Sequence, residues 1–265
     1  MKYRYLSFLA AFFLISTSIV HAAQSRCPEH FADGHAPDFI NQKLSAKTRE
    51  VCYSGFALKH SSVTRTPLYA AEHLTRDRLQ QGKGLKRQSK FHPDEHIPAA
   101  ERAELYHYAR SGYDRGHMAP SADMFDVQSQ QECFSLANMV PQEPENNRGP
   151  WEGVESAVRK LALKRGELYL VTGPIFQGEN LQRIGGAVMV PTQLFKAIYD
   201  PIRQEAGAYL IDNAEGVQPQ TISISELEKL VGIIIFPSVN ERVKSRVMQL
   251  PEPKSYKERN RRGGR

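Results

Sequence analysis

Tyr113-Asp114-Arg115-Gly116-His117-Met118-Ala119-Pro120, then Asn138-Met139-Val140-Pro141-Gln142, then Asn146-Asn147-Arg148-Gly149-Pro150-Trp151 leading to Glu155: the reading of this chain turns on that stretch. From Trp151 onward, Trp151, Val154, Val158, Leu161 and Ala162 recur at helical spacing and make one apolar stripe. Residues 143–150, with Pro144, two asparagines, Gly149 and Pro150, suit a loop that feeds the start of that helix. Residues 135–140 read as a short strand stopped by Pro141, and residues 113–118 lead into a loop at Pro120. Glu155 falls four residues after Trp151 and three before Val158, so it points along the buried stripe. A carboxylate there needs a cation or a hydrogen-bond donor beside it.

Outward from this stretch, residues 24–50 look like an arm, with Pro28, Gly34 and Pro37 and few apolar positions. Residues 51–58 read as a strand, residues 68–71 continue the pattern after Pro67, and residues 73–81 suit a short polar helix or turn. A basic loop with Lys83, Lys86, Arg87 and Lys90 precedes Phe91-His92-Pro93-Asp94. His92 and His96 lie among prolines, which suits a solvated turn better than the helix a metal pair would use. Residues 99–109 resemble an amphipathic helix ended by Gly112. On the far side, residues 167–172, 187–191, 194–199 and 207–212 read as strands, and residues 232–237 as a last apolar one. Ser223 and Glu226 stand at capping-box spacing at the head of a helix over residues 223–231. With no repeat and no dividing linker, residues 51–250 are expected to form one α+β domain with a mixed, largely antiparallel sheet.

Hydrophobic residues make up 40% and charged ones 24% of the 265, a balance that supports a sizeable core. The net charge of +6 favours polyanionic partners without naming one. Lys2 and Arg4 precede an apolar run over residues 6–20, followed by small-residue cleavage sites at Val20-His21-Ala22 or His21-Ala22-Ala23. Residues 1–23 thus read as a secretory signal peptide, with an uncleaved anchor as the alternative. Export permits disulfides. Cys27 and Cys52 are expected to pair, Cys27–Cys133 being the competitor, and Cys133 in its apolar run suits a buried free thiol. Residues 251–265 read as a disordered basic tail that adds non-specific affinity for nucleic acid, with six cations between Lys254 and Arg265 against one acid.

The central stretch offers the parts for phosphodiester hydrolysis. Histidine suits activation of water because its ordinary pKa lies near neutrality. A hard divalent cation on oxygen ligands suits the charge on the phosphoryl group. Candidate oxygens are Asn147, Asn146 and Glu155; no carboxylate cluster supports a two-metal scheme. Singly, His117 could be a strand-end residue, Asn147 a helix cap and Arg115 a surface ion-pair partner. A base at His117 must be neutral, with its second ring nitrogen donating to a fixed acceptor, most simply a backbone carbonyl.

Together, Asp114-Arg115-Gly116-His117, Asn138-Met139-Val140-Pro141-Gln142 and Asn147-Arg148-Gly149-Pro150-Trp151-Glu152-Gly153-Val154-Glu155 closely resemble the DNA/RNA non-specific endonucleases of Serratia and endonuclease G type. The resemblance runs from about Cys52 to about Val239, with no counterpart placed for the arm or the tail, and it implies a ββα-metal site. It implies His117 as general base, Asn147 as the Mg²⁺ ligand (Mn²⁺ substituting) and Glu155 as a ligand through water. Arg115, Arg148 and Arg87 would contact phosphate, with Lys83, Lys86 or Lys90 as rivals to Arg87, while Asp114 and Asn138 orient the site. The implied substrates are DNA and RNA without strong sequence preference, cut to leave 5′-phosphate ends in the periplasm or outside the cell. No membrane anchor would remain after leader removal, and no inhibitor protein is identified by sequence. The alternatives are a phosphodiesterase on another substrate, or a nucleic-acid-binding uptake or conjugation factor with a vestigial site.

Overall fold

The structure, a computed structural model, describes residues 25–87, 90–256 and 258. The expected leader, and the basic tail beyond Tyr256 apart from Glu258, lie outside the described residues. The chain runs through β1 (Asp38–Phe39), β2 (Thr48–Cys52), β3 (Ala57–Ser61) and β4 (Thr66–Thr75) into α1 (Arg76–Gln81). It then forms α2 (Leu105–Tyr108), β5 (Asp114–His117), α3 (Val127–Cys133), β6 (Met139–Gln142), α4 (Pro144–Asn146) and α5 (Glu152–Arg165). Strands β7 (Glu167–Ile175), β8 (Arg183–Ile184), β9 (Val188–Met189), β10 (Gln193–Asp200), β11 (Glu205–Asp212) and β12 (Gln220–Ile222) follow. The described fold closes with α6 (Ile224–Val231), β13 (Ile233–Ile234) and α7 (Glu241–Lys244).

The frame is a seven-stranded sheet in the order β12-β11-β10-β7-β4-β3-β2, antiparallel at each pairing. Strand alternation sends Leu194 and Ile198 of β10 to one face and Phe195, Ala197 and Tyr199 to the other. On the first face the stripe of α5 (Val154, Val158, Leu161, Ala162) packs with Trp151 over Leu168, Leu170 and Leu194. On the second, Phe31 and Phe39 join Ile224 and Leu227 of α6. Each such fully buried side chain contributes about 1.5–3 kcal/mol. Neighbours β4 and β7 are joined by a long excursion, residues 76–166, closed at its neck where the Arg76 N–H donates to the Gly166 carbonyl at 2.7 Å. The Arg76 guanidinium also caps the end of α5 through the Leu163 carbonyl, at 2.8 Å.

Several expectations need correction. Residues 25–50 do not stand off as an arm, because Cys27, Phe31, Ala32, Ala36 and Phe39 are buried and β1 pairs with β13. Residues 51–58 are not one strand. Tyr53 donates its N–H to the Phe56 carbonyl at 2.9 Å, turning β2 into β3. The helix expected over residues 99–109 shrinks to α2, since the Arg65 guanidinium takes the Ala100 and Arg102 carbonyls at 2.9 and 3.4 Å. Pro141 does not stop β6, because that strand pairs on one side only, with β5, and its missing N–H leaves no broken ladder. Residues 251–256 are placed, with Pro251 accepting from the Tyr209 hydroxyl and the Tyr256 N–H donating to Glu152 at 2.9 Å.

Cys27 and Cys52 form the expected disulfide across a sequence separation of 25, with Cα atoms 5.9 Å apart. Such a loop contributes about 3 kcal/mol in the chain-entropy account. Cys133 is free and buried, its thiol donating to the Gln130 carbonyl at 3.1 Å. No helix among the described residues is long and apolar enough to cross a membrane.

His60 on β3 is wholly buried, and neither ring nitrogen has a partner among the described residues. Burial, opposed by the Asp94 charge, pushes its pKa down to about 4 from an ordinary 6.5. Between those values the unfolded chain binds the proton and the folded chain does not, so stability falls as pH falls, by about 3 kcal/mol over the range. His60→Phe should flatten the acid side of the stability–pH curve in urea titrations. An unchanged slope between pH 6.5 and pH 4 would assign the acid loss to other groups.

Candidate active site

Hairpin β5–β6 sets Asp114 opposite Gln142, Gly116 opposite Val140 and His117 opposite Met139. Gly116 is required there: a Cβ would lie 2.7 Å from the Gln142 Cβ and 2.0 Å from its Oε1. Gly116 thus lets β5 close on Gln142, while Arg115 and His117, two apart on the strand, both reach the cleft. Asn138 is buried behind the hairpin and locks the loop after His117. It accepts from the Ala119 N–H at 2.9 Å and donates to the Ala119 and Cys133 carbonyls at 2.8 and 2.9 Å. Its place is therefore to fix backbone, and it does not line the cleft.

The loop expected over residues 143–150 is helical. The Glu143 carboxylate caps the Asn146 N–H at 2.6 Å, α4 begins, and residues Asn147–Trp151 make one π-helical turn before α5 continues. Pro150 sits inside that turn and supplies no N–H, so the ladder widens here at little cost. Asn146 faces inward, accepting from Gln142 at 2.8 Å and donating to the Asp212 carbonyl at 2.8 Å, so it is not a cleft oxygen. Asn147 faces the cleft. Its Nδ2 donates to Asp114 Oδ2 at 2.9 Å, which leaves Oδ1 as the atom open to a ligand. Asp114 also takes both arms of Arg148, at 2.6 and 2.8 Å. Arg148 thus reaches the cleft wall paired with Asp114, with its guanidinium still largely exposed.

Arg87, Asp114, Arg115, His117, Asn147, Arg148 and Glu155 converge on one cleft of about 530 Å³, together with Phe91, Glu152 and Arg159. Lys83, Lys86 and Lys90 do not line it. His117 is half-buried, and Nε2 is shut off from solvent with no hydrogen-bond partner among the described residues. The backbone acceptor expected for this nitrogen is therefore not found. Phe134 holds the ring edge to face at 4.9 Å, with Phe91 at 5.7 Å. Burial, then the Arg87 charge, pushes the His117 pKa down to about 3, so the imidazole is neutral. The same aromatic pair seats two cations, Arg115 over Phe91 at 4.2 Å and Arg87 over Phe134 at 5.2 Å. Neither arginine meets a carboxylate at ion-pair distance among the described residues. Phe91 is held beside Phe134 because the chain next to it is bridged: the Leu136 N–H donates to the His92 carbonyl at 2.8 Å.

Glu155 has the cation the sequence demanded. Arg159 lies one turn on, bonded to buried Asp123 at 2.9 Å, and its charge stabilises the Glu155 carboxylate. Burial nonetheless lifts the Glu155 pKa to about 7. Below α5, on the same sheet face, Lys196 donates to Thr172 at 2.7 Å and lies 3.9 Å from Glu72. Glu72 is held well above the carboxylate range, first by burial and then by the Asp123 charge. Sequence reasoning missed Arg159, Asp123, Phe91 and Phe134. The capping box of Asp126 and Ser129, bonded at 2.7 and 3.1 Å, was a readable sign of α3, which ends beside Phe134.

Residues 35–242 match the family model described as DNA/RNA non-specific endonuclease. The chain belongs to that family. The match starts at residue 35, so the family pattern takes in part of the segment for which no counterpart was expected. The mitochondrial nuclease EXOG of Danio rerio is 35% identical over 211 residues, covering 72% of this chain and 61% of the relative. The chain thus spans about three fifths of that relative's length. Nuclease C1 of Cunninghamella echinulata is 31% identical over 228 residues, covering 78% of this chain and 86% of the relative. A chain of the solved EndoG/EndoGI complex superposes with a TM-score of 0.67 at 26% identity, covering 73% of this chain and 88% of that one. The α+β domain with its largely antiparallel sheet is therefore the endonuclease G-like fold.

Proposed function

We propose that the protein is an exported, Mg²⁺-dependent, sugar-non-specific endonuclease that hydrolyses phosphodiester bonds of DNA and RNA and leaves 5′-phosphate ends. The observation that carries this reading is the meeting, in one cleft, of a neutral imidazole and an amide oxygen left open by its own N–H bond to Asp114. The donor set fits a hard divalent cation: Asn147 Oδ1 is a neutral oxygen, and Glu155 offers a carboxylate that makes no hydrogen bond among the described residues. Asn147 would hold the ion directly and Glu155 through water; bound there, it would supply Lewis-acid neutralisation of charge on the phosphoryl group.

The chain's own residues do the rest. His117 uses its cleft-facing nitrogen, Nδ1, to take a proton from the water that attacks phosphorus. Because the ring is neutral before the step, it needs no prior deprotonation at neutral pH. Arg115 and Arg87, seated on Phe91 and Phe134, bind the non-bridging oxygens and stabilise the charge that grows on them. Asp114 keeps the Asn147 amide from flipping, so its oxygen faces the cleft.

The leader-like residues 1–23 and the Cys27–Cys52 bond support work in an oxidising compartment, the periplasm or the outside of the cell. Purified mature protein should degrade plasmid DNA and ribosomal RNA alike with Mg²⁺, and neither with a chelator. Tight nucleic-acid binding without cleavage under both conditions would instead make it a binding factor with a vestigial site.

A further inference from the structure

Arg159 bonds to the wrong neighbour for a helical arginine. Glu155 stands four residues ahead of it on α5, the acid N-terminal to the cation, which is the spacing and order in which such side chains pair on a helix. In α7 a similar pair does close, Lys244 lying 3.4 Å from Glu241 three residues ahead. Arg159 instead gives Nη1 to Asp123 Oδ1 at 2.9 Å, and Glu155 makes no ion pair among the described residues. Asp123 is delivered by the loop after His117. Asn138 fixes the head of that loop at Ala119, and a single 3₁₀ turn over Ser121–Asp123 closes its end, the Asp123 N–H donating to the Pro120 carbonyl at 3.0 Å. The Asp123 side chain is 2% exposed, whereas Pro120, Ser121 and Ala122 line the same cleft as Glu155 and Arg159. Glu72, the other buried acid nearby, is held well above the carboxylate range by burial, so Asp123 is the anion that meets the guanidinium.

We infer that Asp123 is a positioning residue that diverts Arg159 from Glu155 and so leaves the Glu155 carboxylate free for the water of a divalent cation in the cleft. The inference rests on the nuclease reading for that cation. A buried ion pair that ties a loop to a helix is an ordinary structural device, and by itself it is a weak sign of function. Here the pair forms at the expense of the carboxylate on the same helix face, and that carboxylate lines the cleft with no hydrogen bond among the described residues. Without the charge on Asp123, Arg159 would turn to Glu155, and a cation would have to displace a guanidinium to use that oxygen. One bond is enough to hold the arginine aside. Its Nε and Nη2 make no hydrogen bond among the described residues, so its charge stays beside Glu155 without capping it.

The test is calorimetric titration of Mg²⁺ into the full chain without substrate, at about pH 8.5, where Glu155 is ionised. Asp123→Asn keeps the shape and an acceptor oxygen but loses the charge. Its Mg²⁺ affinity should fall about 10-fold, the low end of what losing an outer partner costs. Adding Arg159→Gln removes the cation that falls on Glu155, and most of the lost affinity should return. A purely structural clasp predicts the opposite: a loss that the second change leaves or deepens. That result would overturn the inference, as would unchanged affinity in Asp123→Asn. If Asp123→Asn does not fold by circular dichroism, the double variant decides, because it lacks the clasp and still leaves Glu155 open. Mg²⁺ affinity within about threefold of wild type then supports the diversion, and a loss of about 10-fold sinks it. Should neither variant fold, the pair is a structural clasp and the inference is wrong. Failure of the nuclease reading shows separately, as plasmid left intact by a wild type that binds Mg²⁺.

Discussion

His117→Ala lowers the cleavage rate by about 10² to 10⁴-fold, the usual worth of a general base, and leaves Mg²⁺ affinity unchanged. The expectation follows from a ring that lines the cleft, carries no assigned metal contact and is neutral by burial. Calorimetric titration of the cation into both proteins, beside single-turnover rates, measures the two quantities separately. A parallel loss of metal affinity and rate would make the imidazole a ligand and overturn its assignment as base. The pH profile gives a second reading. With its pKa pushed down to about 3, His117 is neutral from about pH 4 upward, so no limb near 6.5 belongs to it. Glu155, lifted to about 7 by burial, is the group expected to limit activity on the acid side. A cation favours its ionised form, so raising Mg²⁺ should move that limb to lower pH. A limb that ignores Mg²⁺ and vanishes in a His117 variant with residual activity would reverse the two assignments.

Asn147→Ala abolishes metal-dependent cleavage while preserving the fold, whereas Glu155→Ala loses about 10–100-fold in metal affinity and recovers at high Mg²⁺. The difference lies in how the two residues are held. Asn147 has its amide nitrogen tied to Asp114 at 2.9 Å, so its oxygen is aimed, and no neighbour replaces it. Asn147→Asp does not rescue, because a carboxylate would then face Asp114 Oδ2 in place of an N–H donor. Circular dichroism confirms folding, and cleavage across an Mg²⁺ series separates the variants. Identical responses to added Mg²⁺ would collapse the distinction between direct and water-mediated contact.

The regular parts of the fold were legible because their signals are local. Apolar runs at residues 194–199 and 207–212, bounded by turns at Pro191, Pro201 and Asn213, marked β10 and β11, and Ser223 with Glu226 marked the head of α6. Likewise, Asp114, Arg115, His117, Asn147 and Glu155 were nominated from a short span and do meet in one cleft. What stayed hidden depends on partners distant in sequence. Arg159 matters because Asp123 lies against it, and the arginine seats exist only once Phe91 and Phe134 come together. The π turn was masked because Pro150 reads as a helix breaker, whereas a widened turn has room for it. Asn146 and Asn147 are alike in sequence, and only the inward tie to Gln142 and Asp212 tells them apart. Glu72 and Lys196 look like interruptions of two strands until the sheet brings both strands to the same face beneath α5.

The excursion between β4 and β7 holds Arg87, Asp114, His117, Asn147 and Glu155, and it leaves and rejoins the sheet at adjacent positions. Closing a connection of that length costs only slowly more as it grows, about 0.6 kcal/mol per doubling. The loops of the insert can therefore lengthen or change at little closure cost, provided α5 stays in place to cover Leu168, Leu170 and Leu194 on the first face of the sheet. In evolutionary terms the last helix of the insert is a shared wall: substrate range can be rebuilt in the loops ahead of it while α5 goes on closing the core over β7 and β10.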